Sequence, residues 1–163
     1  MAPRSQQLQI RVTPHEKSAL KRRARVAGQD VSAYVLALAL PPESARFASI
    51  MEALRDEANR RFALAELNDA LSALVPIEFA TAVDLIDVQG LGPLWQNYVA
   101  AMVEHAARAI GVRAPGWTRD VVPLHGPYFA TSLRSLRSYL LRVSPVAFRR
   151  RNIFVDATVG ARV

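Results

Sequence analysis

Cysteine is absent from the 163 residues of this chain, so disulfides and thiol chemistry are excluded. A zinc site would have to use histidine and carboxylate ligands instead. Long apolar runs are also missing: the stretch from 31 to 40 is too short to span a bilayer, and residues 1–7 lack the apolar core of a signal peptide. We therefore expect a cytoplasmic protein with no membrane segment.

Lysine is scarce, since Lys17 and Lys21 are the only two and arginine supplies all the other positive side chains. The net charge of +7 is unevenly distributed: residues 1–42 carry +5, residues 43–114 carry −4 and residues 115–163 carry +6. Two basic ends predict polyanionic or acidic protein partners, and the acidic middle predicts a solvated scaffold. The length allows one domain, or a small module followed by a modest one.

Apolar and polar side chains alternate through residues 7–12, which predicts a short β-strand. Its polar face carries Gln7, Gln9 and Arg11. Glutamine can pair bidentately with adenine and arginine with guanine, so this face suits a β-ribbon that reads bases in a DNA major groove.

Two short helices are predicted after the strand. Thr13 and Glu16 form a capping box for the first helix, Gly28 marks its end, Asp30 caps the second helix and prolines 41 and 42 stop it. A strand and two helices are too small to bury a core alone, so we expect an intertwined homodimer joined through the strand. The exposed face of the first helix is basic and carries Lys17, Lys21, Arg22, Arg23 and Arg25.

Residues 6–41 resemble the ribbon-helix-helix DNA-binding family, which includes many antitoxins. The resemblance lies in the alternating strand, the Thr-Pro-x-Glu helix start, the Ala-x-x-x-Gly turn and the Asp-Val-Ser-Ala-Tyr-Val start of the second helix. It implies that the polar strand residues read operator bases and that Asp30, Val31 and Ser32 bind phosphate through backbone N–H groups. The family often has Ser or Thr at the cap where this chain has Asp30, so we expect the amides and the Ser32 hydroxyl to be the donors. The alternative is a half-buried strand of a small α+β domain with a merely solvated basic face.

The remaining chain is predicted to be helical, which makes the fold mainly α with a ribbon-helix-helix module at 1–42 and a helical region at 43–163. Apolar spacing predicts one long helix or two over 45–74, a shorter one over 78–88 and another over 94–110 that ends at Gly111. Further helices are expected over 131–141 and 144–151, with a β-like tail at 152–156. The proline-rich loop at 113–127 should bind something or lie along a surface.

The C-terminal segment resembles, over a shorter stretch, the end of bacterial proteins paired with toxins of the nucleotidyltransferase type. The resemblance implies that this region neutralises a co-encoded toxin, with arginines pairing with acidic groups and apolar residues anchoring beside them. The alternative is that the apolar residues belong to the core and the arginines are solvated or bind nucleic acid. The residues expected to bind the toxin are Phe148, Arg149, Arg150, Arg151, Ile153 and Phe154.

No catalytic site, metal site or cofactor is predicted, because no nucleophile, base and acid share a plausible spacing. The leading hypothesis is an antitoxin of a type II system that represses its own operon and neutralises its toxin. The runner-up is a ribbon-helix-helix transcription regulator with an effector- or protein-binding helical domain. A third hypothesis is a helical enzyme or an accessory RNA-binding protein, in which the strand would pair inside the domain.

Overall fold

The computed structural model describes residues 9–39, 42–156 and 158, and it confirms a mainly α fold. Two short strands, β1 (Tyr128–Phe129) and β2 (Ile153–Phe154), pair in parallel, with Tyr128 opposite Ile153. A 3₁₀ turn spans Arg134–Leu136. The α-helices are α1 (Pro14–Val26), α2 (Val31–Ala39), α3 (Pro42–Arg55), α4 (Arg60–Ala73), α5 (Pro76–Asp84), α6 (Pro93–Ala109), α7 (Trp117–Asp120), α8 (Arg137–Val143) and α9 (Val146–Arg149).

Three predicted helix boundaries of the N-terminal segment are confirmed, the start and end of α1 and the start of α2, whereas the predicted stop of α2 at prolines 41 and 42 involves residue 41, which lies outside the described residues. The Glu16 backbone N–H donates to Thr13 Oγ1 at 3.3 Å, and the Thr13 N–H donates to Glu16 Oε2 at 2.8 Å, which completes the capping box. Gly28 has a φ of +67°, the left-handed conformation that ends helices and that glycine adopts without strain. Asp30 Oδ1 accepts the Ala33 N–H at 2.9 Å at the start of α2.

The predicted N-terminal strand is not confirmed. Residues 9–12 form no β-ladder, and Gln7 and Leu8 lie outside the described residues. A strand is defined by hydrogen bonds to a neighbour, and in the described part of the chain only β1 and β2 are paired. Ile10 and Val12 are therefore exposed, at 61% and 42%, where the alternation predicted burial.

One hydrophobic core extends from Phe47 in α3 to Val155 after β2. Helix α6 lies at its centre and buries Val99, Val103 and Ala107 on one face. The helix ends where predicted, with Gly111 at a φ of +72°. Ala24 of α1 is buried but does not belong to this core, because it lies where α1 contacts α2.

Residues 45–74 form two helices, the second of the two arrangements that the spacing allowed. The chain turns at residues 56–59, where Asp56 Oδ1 accepts the Ala58 backbone N–H at 3.1 Å and Asp56 Oδ2 accepts from the Asn59 side-chain Nδ2 at 2.6 Å. The first bond satisfies a backbone N–H that a continuous helix would use, and the second fixes the Asp56 side chain, so α3 and α4 can fold back against each other.

The proline-rich segment at 113–127 packs against the core. This is one of the two predicted roles, which were to bind something or to lie along a surface. Trp117 Nε1 donates to the Val83 carbonyl at 3.0 Å, and Asn152 donates to the Leu124 carbonyl at 2.5 Å. Val121 is buried between these anchors. The segment therefore joins α5 and α6 to the C-terminal strands.

Candidate nucleic-acid interface and partner surface

Helix α1 presents a basic face to solvent. In the same helix Ala24 is 1% exposed, and Ala19 and Leu20 are half-buried. No ion pair within the described ranges neutralises the basic side chains. The face can therefore attract a polyanion in a salt-dependent manner. All of its predicted members are exposed: Lys17, Lys21, Arg22, Arg23 and Arg25.

The predicted base-reading residues lie immediately before this helix. Gln9 and Arg11 are exposed, and Gln7 lies outside the described residues. Ile10 and Val12 are also exposed, so this single chain does not separate an apolar face from a polar one. These two apolar side chains lie in the same segment as the two predicted base-reading residues. They are available for burial against another surface.

The start of α2 retains backbone donors that can bind an anion. The first helical hydrogen bond runs from the Tyr34 N–H to the Asp30 carbonyl at 3.0 Å, so the amides of Val31 and Ser32 precede the helical ladder. The Asp30 side chain is directed to the Ala33 amide, and the Ser32 side chain is exposed. The amides of Val31 and Ser32 and the Ser32 hydroxyl therefore remain the predicted phosphate donors.

The six residues expected to bind a toxin separate into a surface pair and a buried set. Arg149 and Arg150 are exposed. The alternative interpretation holds for the apolar members, because Phe148 and Ile153 are 0% exposed and Phe154 is 8% exposed. Phe148 and Ile153 belong to the core where α9 and β2 meet α6, and Phe154 stacks on Phe129 of β1. None of the three is available as an anchor for a partner while the domain is folded.

Arg151 is also buried, at 5% exposure, where the sequence placed it on a partner surface. Its guanidinium donates to Glu104 Oε1 at 2.6 Å and to Asn97 Oδ1 at 3.1 Å. It also donates to the backbone carbonyls of Thr118 and Val121. Arg151 therefore holds α6, α7 and the segment after α9 together.

Glu104 and Asn97 were missed as functional positions. They are seven residues apart on α6, which puts both on one face of a helix, two turns apart. Asn97 is 1% exposed and also donates to the carbonyls of Pro93 and Val122. Two polar residues at that spacing in an otherwise apolar helix were the signal in the sequence for a buried polar contact. The spacing does not indicate which distant cationic side chain forms that contact.

Helix α8 and the preceding 3₁₀ turn expose an apolar surface surrounded by arginines, which we call the α8 surface. Of the four leucines in this segment, Leu140 alone is buried. The 3₁₀ turn and the short length of α8 alter the helical register, so the side chains do not form one inward stripe. The α8 surface consists of Leu133, Leu136, Tyr139 and Leu141 with Arg134, Arg137 and Arg142.

Within the described ranges, no three His, Cys, Asp or Glu side chains come together as metal ligands would. None of the helices in those same ranges combines the length and apolar character needed to cross a bilayer.

Residues 2–71 match a family model described as NikA-like, Mobilization protein NikA, which is a ribbon-helix-helix DNA-binding family. The match covers less than half of the chain. It supports a ribbon-helix-helix DNA-binding regulator at the N-terminus, and it continues through α3 into α4. No curated protein and no solved structure matches the chain.

Proposed function

We propose that this chain is a dimeric ribbon-helix-helix protein that binds DNA in the cytoplasm and acts in DNA mobilization, with no catalytic step of its own. The observation that carries the proposal is the unneutralised basic face of α1 next to Gln9 and Arg11, in the same segment that matches the mobilization family model. The helical domain that starts at α3 presents the α8 surface to a protein partner.

In the proposed dimer, residues 8–12 of two chains pair as an antiparallel ribbon. Pairing would cover Ile10 and Val12, and it would direct Gln7, Gln9 and Arg11 of both chains into one major groove. Exposed Leu38 on α2, at 65%, offers further apolar area for the same contact. Burial of such side chains contributes about 25 cal/mol per Å² of apolar area, which favours the dimer over an exposed ribbon.

The basic side chains of α1 and the first amides of α2 would contact phosphates. They supply affinity and orientation, whereas the ribbon supplies sequence discrimination. Arg11→Ala should therefore weaken the preference for the specific site but leave the dimer intact. A matched control is Arg134→Ala, which removes one exposed arginine outside the N-terminal segment.

The measurement is an electrophoretic mobility shift with specific and scrambled duplexes at one stated salt concentration, alongside the sedimentation coefficient. Loss of one bidentate base contact in each chain should reduce discrimination by about 1–3 kcal/mol per contact. Dissociation of the dimer by Arg11→Ala would contradict the placement of this side chain on the solvent face of the ribbon.

A second candidate is the antitoxin function, with autorepression of the operon and neutralisation of a co-encoded toxin. It is supported by Arg149 and Arg150, which are exposed and could pair with an acidic site on a toxin. It now rests on two arginines instead of six residues, since the other four are buried. Arg149→Glu with Arg150→Glu should then disrupt a toxin complex without weakening DNA binding.

Selection of genomic DNA fragments by the purified full chain distinguishes these functions. Enrichment of DNA from a transfer origin would support mobilization, and enrichment of the chain's own promoter would support a regulator or an antitoxin. Co-expression with the neighbouring gene then separates the last two, because only an antitoxin rescues cells from a toxic neighbour. Absence of any enriched sequence would overturn the ribbon-helix-helix assignment of function.

A further inference from the structure

A cleft of about 600 Å³ opens beside the buried Arg151. Three elements contribute arginines to its lining: Arg108 from the last turn of α6, Arg119 from α7 and Arg150 from the end of α9. Arg151 and Glu104 line it as well. These residues are far apart in sequence, so the cleft is created by the fold.

The cleft is strongly positive. Four arginines and one glutamate give its lining a formal charge of +3. The single acid is occupied, because Glu104 accepts from Arg151 at 2.6 Å. Arg108, Arg119 and Arg150 make no ion pair within the part of the chain that the structure describes.

Arg151 is the buried member of this charged lining. Four acceptors hold its two terminal nitrogens in place. Its Nε–H, by contrast, is the one buried side-chain polar atom in the described ranges that has no hydrogen-bond partner. Unpartnered buried donors are rare in folded proteins and are commonly explained by a ligand, a water or an ion.

We propose that this cleft binds the phosphate group of a nucleotide, either a free one or one within a nucleic-acid strand. Arginine forks match phosphate oxygens bidentately, and a lining of +3 exceeds what one carboxylate would neutralise. The volume lies in the range of small-ligand sites, which is about 300–1,000 Å³. Val112, Val146 and Ala147 give the same cleft an apolar wall against which a base or sugar can lie.

The test is isothermal titration calorimetry of the full chain with inorganic phosphate, pyrophosphate and a short oligothymidylate. The wild type should bind pyrophosphate more tightly than phosphate, because more oxygens meet the arginines. Arg108→Gln with Arg119→Gln should weaken binding by about tenfold or more, as expected when charged hydrogen bonds are lost. Intrinsic tryptophan fluorescence and the thermal midpoint should stay unchanged, since both arginines are exposed.

Two matched controls locate the site. Arg134→Gln with Arg142→Gln makes the same charge change outside the cleft, and Lys17→Gln with Lys21→Gln weakens the basic face of α1. Both should leave the affinity for pyrophosphate within about twofold, since neither changes a cleft residue. Saturable binding of pyrophosphate identifies a free nucleotide as the source, and binding of the oligothymidylate alone identifies a strand.

The proposal is overturned if no probe binds saturably at millimolar concentration, or if a control pair weakens binding as much as the cleft pair does. The cleft proposal can fail without the proposed function failing, because sequence-specific DNA binding is assigned to Gln9, Arg11 and the α1 face. A cleft variant should therefore select the same genomic fragments as the wild type.

Discussion

Replacement of Arg151 by alanine tests whether this residue is structural or binds a partner. The substitution removes hydrogen bonds to Glu104 Oε1, Asn97 Oδ1 and the carbonyls of Thr118 and Val121. Because the guanidinium is 5% exposed, its loss leaves several buried acceptors without donors. Breaking a buried ion pair from one side costs about 3–5 kcal/mol.

The cost is moderated by two features of the site. The Glu104 side chain is 21% exposed, so water can solvate its released carboxylate in part. The unpartnered Nε–H of Arg151 also disappears, which removes a penalty of about 1–3 kcal/mol. We therefore expect the free energy of unfolding to fall by about 3 kcal/mol, a large share of the roughly 5–15 kcal/mol that stabilises a typical domain.

Urea denaturation followed by tryptophan fluorescence is the appropriate assay, because Trp95 and Trp117 both contact the core that Arg151 holds together. With a slope of about 1.5 kcal/mol per molar urea, the midpoint should fall by about 2 M. The neighbouring exposed residue supplies the control, since Arg150→Ala should change stability by no more than about 0.5 kcal/mol. Equal stability of the two variants, with loss of partner binding only in Arg151→Ala, would refute the structural role and restore Arg151 to a binding surface.

Two further predictions concern pH and helix capping. Burial, with a smaller contribution from Tyr128, raises the pKa of Tyr98 to about 12 from 10.0. The folded state keeps its proton where the unfolded state has lost it, so the free energy of unfolding should fall by about 1.4 kcal/mol per pH unit between those values. Alkaline urea titrations of Tyr98→Phe should lack this component, and a retained slope would contradict the assignment. Thr13→Ala should destabilise α1 by about 1 kcal/mol, seen as faster amide exchange in its first turn. Ser18→Ala, an exposed change within the same helix, should not increase that exchange.

The capping box also has a defined acid dependence. Hydrogen bonds from the Thr13 backbone and then from its side chain lower the pKa of Glu16 below 4.5. A lowered pKa in the folded state means that the stabilisation is present above the unfolded value and is lost as the pH falls through the folded one. The protection of the first turn of α1 should therefore weaken at acidic pH, and Glu16→Gln should remove that change.

Local structure was predictable from the sequence because its causes lie within one helical turn. The capping box joins residues three apart, and Gly28 and Gly111 end their helices through their own φ values. The turn at Asp56 also depends on local bonds, to residues two and three positions on, although the apolar spacing left one helix or two open there. The ribbon-helix-helix resemblance consists of such local signals, and the family match over residues 2–71 supports it.

The C-terminal assignments required contacts that no local pattern contains. Arg151 meets a carboxylate 47 positions away, and β1 pairs with a strand about 25 positions later. Residues 149–151 are three consecutive arginines. Arg151 is buried, whereas Arg149 and Arg150 are exposed. The short helix α9 and the turn after it decide that difference, because they direct residue 151 toward α6.

The sequence by itself determined the basic and acidic segments, the helical character and the capped N-terminal helices, since composition and spacings of three or four residues are sufficient causes. Only the tertiary structure decided which apolar residues form the core, that Arg151 joins three elements, and that Arg108, Arg119 and Arg150 meet at one cleft. The physical reason is that a buried charge is tolerated only where partners from distant segments converge, and that convergence is a property of the folded chain.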